Sequence, residues 1–165
     1  MEVAKIINKL TKYMEKIQLM LGVVFLTVFF VTILIQIFAR YFGIPVIWTE
    51  EVSNYSFIWS VFMGASAMVN RKGHFKFNFL LLKLKEKQRI ILNWMINVIL
   101  LLFSIAVSYY GIQAVMGFWD YRWVALPALK MGYVFLCLPI MGISMTIYLL
   151  NHISQDMQNL MRGDW

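Results

Sequence analysis

RKGHFKFNFLLLKLKEKQR, residues 71–89, is the stretch that decides how the chain is read. It holds seven Lys or Arg residues against one Glu and one His, interleaved with Phe75, Phe77, Phe79 and a run of leucines. Two long stretches free of Asp, Glu, Lys and Arg flank it on each side, at about residues 17–38 and 52–69, then 91–116 and 131–150. At 1.5 Å per residue the first of these reaches about 33 Å, enough to cross a hydrocarbon core of roughly 30 Å. Inside lipid the backbone must satisfy its own hydrogen bonds, which only a helix or a closed barrel achieves. A barrel needs alternating segments of about ten residues, and none is present. The pattern therefore predicts an all-α integral membrane protein: four transmembrane helices as two hairpins, with the basic stretch as the central loop.

Composition points the same way. Of 165 residues 61% are apolar and 14% charged, against about 25% charged in soluble domains. The single cysteine, Cys137, lies within an apolar stretch and supports neither a disulfide nor a cysteine metal site within one chain. The net charge of +7 is concentrated beside apolar segments, the arrangement that suits lipid headgroups rather than nucleic acid. Residues 1–16, 70–90 and 151–165 carry +2, +6 and −1, whereas 39–51 and 117–130 carry −1 and +1. The positive-inside bias then predicts that both termini and the central basic loop are cytoplasmic.

Taken in order, residues 1–16 form an amphipathic lead. Lys5, Lys9, Lys12 and Lys16 recur at helical spacing opposite Ile6, Ile7, Leu10 and Tyr13, which predicts a helix at the interface or continuous with the first span. The apolar run after it is too long for a cleaved signal peptide and ends in no small-residue cleavage site. Arg40 and Tyr41 close the first span, Gly43 and Pro45 break the helix, and Trp48 suits the headgroup level. Thr49, Glu50 and Glu51 are expected to open the second helix, with Thr49 as cap and the acids facing the helix dipole. A charge beside the membrane is costly to leave unpaired. At least one glutamate is therefore expected to face protein and pair with Arg40 or a partner subunit, Glu50 being preferred.

On the second span Ser53, Ser56, Ser60, Gly64 and Ala67 recur at spacings of three or four. Such a stripe lets another helix approach closely, which makes Ser56, Ser60 and Gly64 candidate contact residues. Within the basic stretch Gly73 marks a turn, residues 79–87 suit a short interfacial helix, and His74 reads as a turn histidine among cations. The third span carries Asn93, Asn97, Ser104, Ser108 and Gly111 on one face, a helix-packing pattern. Trp119, Tyr121 and Trp123 form an aromatic belt before Pro127, and Pro139 predicts a kink in the fourth span. The polar tail, residues 151–165, is assigned to the cytoplasm.

The residues offer little chemistry. No paired His or Cys metal ligands, phosphate-binding loop or nucleophile elbow is present, so neither an enzyme nor a cofactor protein is expected. No span carries a charge, which disfavours an autonomous ion-coupled carrier. Packing against another membrane protein fits best, and a structural or assembly protein without a transport role is the alternative.

Several pieces in order, FARYFG at 38–43, Pro45, Trp48 and the Glu50–Glu51 pair, FIWSVFMGAS at 57–66, RKGHFKFNFL at 71–80 and ALPALKMGYVFLCLPIMG at 125–142, resemble the small DctQ-type membrane subunit of tripartite ATP-independent periplasmic (TRAP) transporters. The resemblance covers about residues 15–150. Asn78 departs from it, standing where that family often has an acid. It implies a four-span scaffold in the bacterial inner membrane, packed against a large subunit that carries a sodium-coupled elevator. A periplasmic binding protein would deliver an organic acid such as sialic acid or a C4-dicarboxylate, and sodium would bind the large subunit. Arg40, Tyr41, Trp48, Glu50, Glu51, Gly73 and His74 become the family-type positions, with the loops at 39–51 and 117–130 facing the periplasm.

Overall fold

The computed structural model describes residues 2–71 and 86–162. Among them the chain is helical, apart from turns and one isolated bridge between Arg122 and Lys130. The helices are α1 (Glu2–Tyr41), α2 (Trp48–Asn70), α3 (Glu86–Phe118), α4 (Gly132–Phe135) and α5 (Cys137–Arg162). The Gly73 turn, His74 and the expected interfacial helix at 79–87 lie wholly or largely outside the described residues.

Helix α1 is 40 residues long, about 60 Å by its rise. It runs through the expected boundary at residue 17 without a break, so the basic lead and the first apolar stretch are one rod. The helices long and apolar enough to cross a membrane are three among the described residues: Ile6–Tyr41, Leu92–Phe118 and Gly132–Met157. Helix α2, at 23 residues, would also reach about 35 Å. It is more polar, carrying Glu50, Glu51, Asn54 and four serines.

Helices α1 and α2 pack antiparallel. Phe25 stacks on Trp59 with ring centroids 5.1 Å apart, and Phe29 meets Phe57 at the same distance. Gly22 lets the two helices close up: a β-carbon there would stand 3.6 Å from the Met63 β-carbon and the Ser60 carbonyl oxygen. Helices α3 and α5 form a tighter antiparallel pair. A β-carbon at residue 142 would meet the Ser108 hydroxyl at 2.5 Å and its backbone nitrogen at 2.7 Å. At residue 111 it would meet the Pro139 nitrogen at 2.9 Å. Ser104, Ser108 and Gly111 thus face α5, as their spacing on the third span predicts, and Ser104 Oγ lies 2.9 Å from Thr146 Oγ1. The chain is interrupted at Leu136, between α4 and α5. Pro139 has no N–H to give the carbonyl of Phe135, and helical bonding resumes when Ile140 donates to Leu136 at 3.3 Å.

Helix α2 bridges the two pairs by packing on α5. The centre combines Val69, Met141, Met145, Tyr148 and Leu149 with Met14, Phe62, Leu100 and Leu101 around them. Hydroxyls on the apolar rods turn back on their own helices: Thr27 donates to Val23 and Thr32 to Val28, at 2.9 and 2.7 Å. The outward faces are apolar. Only 11% of the most hydrophobic window of α1, and likewise of α3, is buried, against 50% for the fourth-span segment.

Overpacking a closed helix contact costs about 1–3 kcal/mol. Gly142→Val is therefore expected to lower the thermal unfolding midpoint of the detergent-solubilised chain. Gly64→Val, where an added β-carbon meets nothing within 4 Å, is expected to leave that midpoint unchanged.

Candidate subunit interface

Polar side chains that touch other elements gather at the two ends of the bundle. At one end α1 turns Asn8, Thr11, Glu15 and Gln18 toward its neighbours at spacings of three, four and three. Asn8 Oδ1 accepts from Asn151 Nδ2 at 2.8 Å and from Gln155 Nε2 at 2.5 Å. Gln18 donates to Ser144 Oγ and accepts from the fully buried Tyr148 hydroxyl, each at 2.7 Å. Glu15 accepts from Asn70 Nδ2 at 2.6 Å and from Arg71 Nε. His152 Nε2 lies 3.0 Å from the Asn70 carbonyl oxygen. Arg71, the first residue of the basic stretch, is thus held by protein. On the other face of α1, Ile6, Leu10 and Tyr13 are exposed together with Lys9, Lys12 and Lys16.

At the opposite end Glu51 closes the structure. Its Oε1 accepts from the backbone N–H of Val124 at 2.7 Å and its Oε2 from that of Ala125 at 2.9 Å. One turn further along α2, Tyr55 meets the Trp123 ring edge-on at 4.5 Å. The connection that Glu51 holds is itself folded back. Trp123 N donates to Leu129 O, Met131 N to Tyr121 O, and Arg122 Nη1 to the carbonyl of Pro127 at 2.8 Å. Lys130 Nζ sits 5.4 Å from the Trp119 ring centroid and 3.4 Å from Asp120 Oδ1. Gly132 is required there, because a β-carbon would run into the Trp119 ring. Gly43 turns the preceding connection with φ of +71°, a conformation that glycine adopts without steric cost.

Several expectations are corrected by this geometry. No ion pair joins Arg40 to Glu50 or Glu51 among the described residues; Arg40 and Glu50 are exposed. The glutamate turned toward protein is Glu51, not the preferred Glu50, and its partners are two amides. The reason is register: in the first turn of α2 the two positions point about 100° apart, and only residue 51 faces the 123–125 backbone. Thr49 does not cap. Helix α2 starts at Trp48, its cap position Ile47 makes no side-chain bond, and the buried Thr49 hydroxyl donates to Val46 O at 3.0 Å. Tyr41 and Trp48 are exposed, as is Pro127. The stripe on α2 divides: Ser53, Ser56 and Ala67 are buried along with Met63, while Ser60 and Gly64 lie at the edge of the packed face. Pro139 sits at the α3 contact. The glutamine, asparagine and glutamate contacts of α1 were not anticipated; their three-and-four spacing was the available signal.

Exposed apolar side chains crown the Glu51 end, with Tyr41 84%, Ile47 74% and Val124 86% exposed. The model of the family described as tripartite ATP-independent periplasmic transporters, DctQ component, matches residues 29–159. The chain belongs to the DctQ family. No curated protein matches it. As a DctQ component it is a small component of a tripartite transporter, a system that includes a large membrane subunit and a periplasmic binding protein. The matched span takes in the Glu51 latch, the α3–α5 contact and most of α5. It leaves out Asn8, Thr11, Glu15 and Gln18.

Bonds to a charged acceptor contribute about 1.5–3 kcal/mol each, and less at an exposed site. Glu51→Gln, which offers one carbonyl oxygen to two amides, is expected to speed hydrogen exchange at Val124 and Ala125 about tenfold. Glu50→Gln is expected to leave both amides as protected as in the wild type.

Proposed function

We propose that this DctQ component is the scaffold subunit of a sodium-coupled, binding-protein-dependent importer of a small organic acid. Its four spans form two hairpins in the bacterial inner membrane, with both termini and the basic stretch at 71–89 in the cytoplasm. The Glu51 end then faces the periplasm, and Arg40, Trp48 and the connection at 117–130 stand where a binding protein approaches. The large subunit packs on the exposed apolar flanks and supplies the sodium sites and the moving element.

The observation that carries this reading is the outward face of the bundle. Helices α1 and α3 bury only 11% of their most apolar windows within the chain, so these faces require lipid or a second membrane protein. Every Asp, Glu, Lys and Arg lies outside the four apolar stretches, which is what a support needs and a carrier does not. The edge position of Ser60 and Gly64, with open space beside Gly64, suits close approach of a partner helix.

Three experiments bear on it. In liposomes the purified chain alone is expected to move no organic acid, and uptake is expected only when the large subunit and binding protein are added with a sodium gradient. Gly64→Leu is expected to reduce recovery of the large subunit in co-purification; uptake by this chain alone would reject the scaffold role. For orientation, single cysteines at residues 73 and 121 in a Cys137→Ser background are expected to label from opposite sides of the membrane. Equal labelling of both by an impermeant reagent from the periplasm would reject the four-span arrangement.

A further inference from the structure

Helix α1 carries an exposed apolar stripe longer than a membrane is thick. Ile6, Leu10, Tyr13 and Ile17 recur at spacings of four, three and four, and Val24, Val31 and Phe38 continue the line in steps of seven. All of them are exposed. From Ile6 to Phe38 the stripe measures about 48 Å. At a tilt of about 20° it still crosses about 45 Å, against a hydrocarbon core of about 30 Å. The excess of about 15 Å falls at the Ile6 end, because Arg40 and Trp48 mark the membrane boundary at the other. It is close to the rise from Ile6 to Ile17. This segment cannot fold down onto the headgroups. It continues α1 without a break, and its opposite face is tied to α5, where Asn8 accepts from Asn151 and Gln155 and Gln18 meets Ser144 and Tyr148.

Lysines border this part of the stripe. Lys9 and Lys16 directly precede Leu10 and Ile17 and stand about 80° round the helix from the stripe, whereas Lys12 stands about 130° round. All three are exposed, and none makes an ion pair among the described residues. An apolar seam at this spacing with lysines on its flank is how one helix grips another that sets acids opposite. A second copy of this chain would bring like charge to the seam, and so would its own basic stretch at 72–85, which has four lysines and no acid. We propose that the stripe from Ile6 to Ile17 is a docking seam for an amphipathic helix of the large subunit, with Asp or Glu facing Lys9 and Lys16. The proposal rests on the scaffold reading, and in the orientation given there the contact lies on the cytoplasmic side, outside the hydrocarbon.

The test uses the complex co-purified with the large subunit, with the photo-crosslinking amino acid p-benzoylphenylalanine placed singly at Leu10 and at Tyr13. After irradiation, mass spectrometry is expected to find adducts on a large-subunit peptide that carries acids at helical spacing. Lys9→Glu combined with Lys16→Glu is expected to lower the adduct yield about tenfold. Lys12→Glu, on the far side of the seam's flank, is expected to leave the yield as it is without that change. Adducts to phospholipid, to a second copy of this chain or to a peptide without acids overturn the inference. An equal loss from Lys12→Glu, or no loss from the double variant, also overturns it. Should the double variant fail to co-purify, the adducts formed with the native lysines decide. A complex that co-purifies but yields no adduct overturns the seam and leaves the scaffold reading standing. A large subunit that does not co-purify at all overturns both.

Discussion

A helix surrounded by hydrocarbon has nowhere to send a polar side chain except back to its own backbone or across to another helix. That constraint arranges this molecule. Thr27, Thr32, Ser53, Ser66, Ser104, Ser108, Ser144 and Thr146 bond to carbonyls three or four residues back, and Ser104 and Thr146 also meet each other. Gln18, Ser144 and Tyr148 meet in a buried chain of hydrogen bonds. Each interhelical bond of this kind contributes only about 0.6 kcal/mol on average in membranes. Their larger effect is on register, because sliding α1 against α5 by one residue would strand several polar groups at once. Close packing then completes the work. Gly142 and Gly111 bring α3 against α5, and Gly22 brings α1 against α2.

The two ends solve different problems. At the Glu15 end, three helices are tied by side chains: α1 through Asn8, Glu15 and Gln18, α2 through Asn70, and α5 through Ser144, Tyr148, Asn151 and Gln155. At the Glu51 end the ties run from a side chain to a connection, because the loop at 123–125 has amides that no helix or strand uses. A carboxylate with two oxygens answers two adjacent N–H groups at once. Of the exposed apolar tips beside it, Val124 is carried on backbone that Glu51 itself holds. In the scaffold role proposed above, such ends would present the same surface to a partner throughout a transport cycle.

Much of this was legible in the chain itself. A run of 22 residues without a charge in lipid admits one backbone solution, so helix and membrane follow from composition and length. The Ser104, Ser108 and Gly111 face and the break near Pro139 also follow from local rules, since side-chain spacing and a missing N–H act within one helix. The ordered set from FARYFG to ALPALKMGYVFLCLPIMG carried the resemblance, and the family match bears it out.

Pairing across the fold was a different matter. Glu50 and Glu51 are adjacent, chemically identical and both suited to a first helical turn; which one works is decided by a backbone 73 residues away. Arg40 looked like the natural partner because it was the nearest cation in sequence, and the turn at Gly43 leaves it facing outward. Asn8 fell within the amphipathic lead and Gln18 at the start of the first apolar span, whereas α1 continues straight and lays both against α5. Sequence alone determined the helices, their apolar surfaces and the positions of the charges, because those depend on each residue's own transfer free energy and on neighbours within one turn. Only the tertiary structure decided which polar atoms meet, because that depends on rotation about each helix axis, where a step of about 100° separates a latch from a solvated acid.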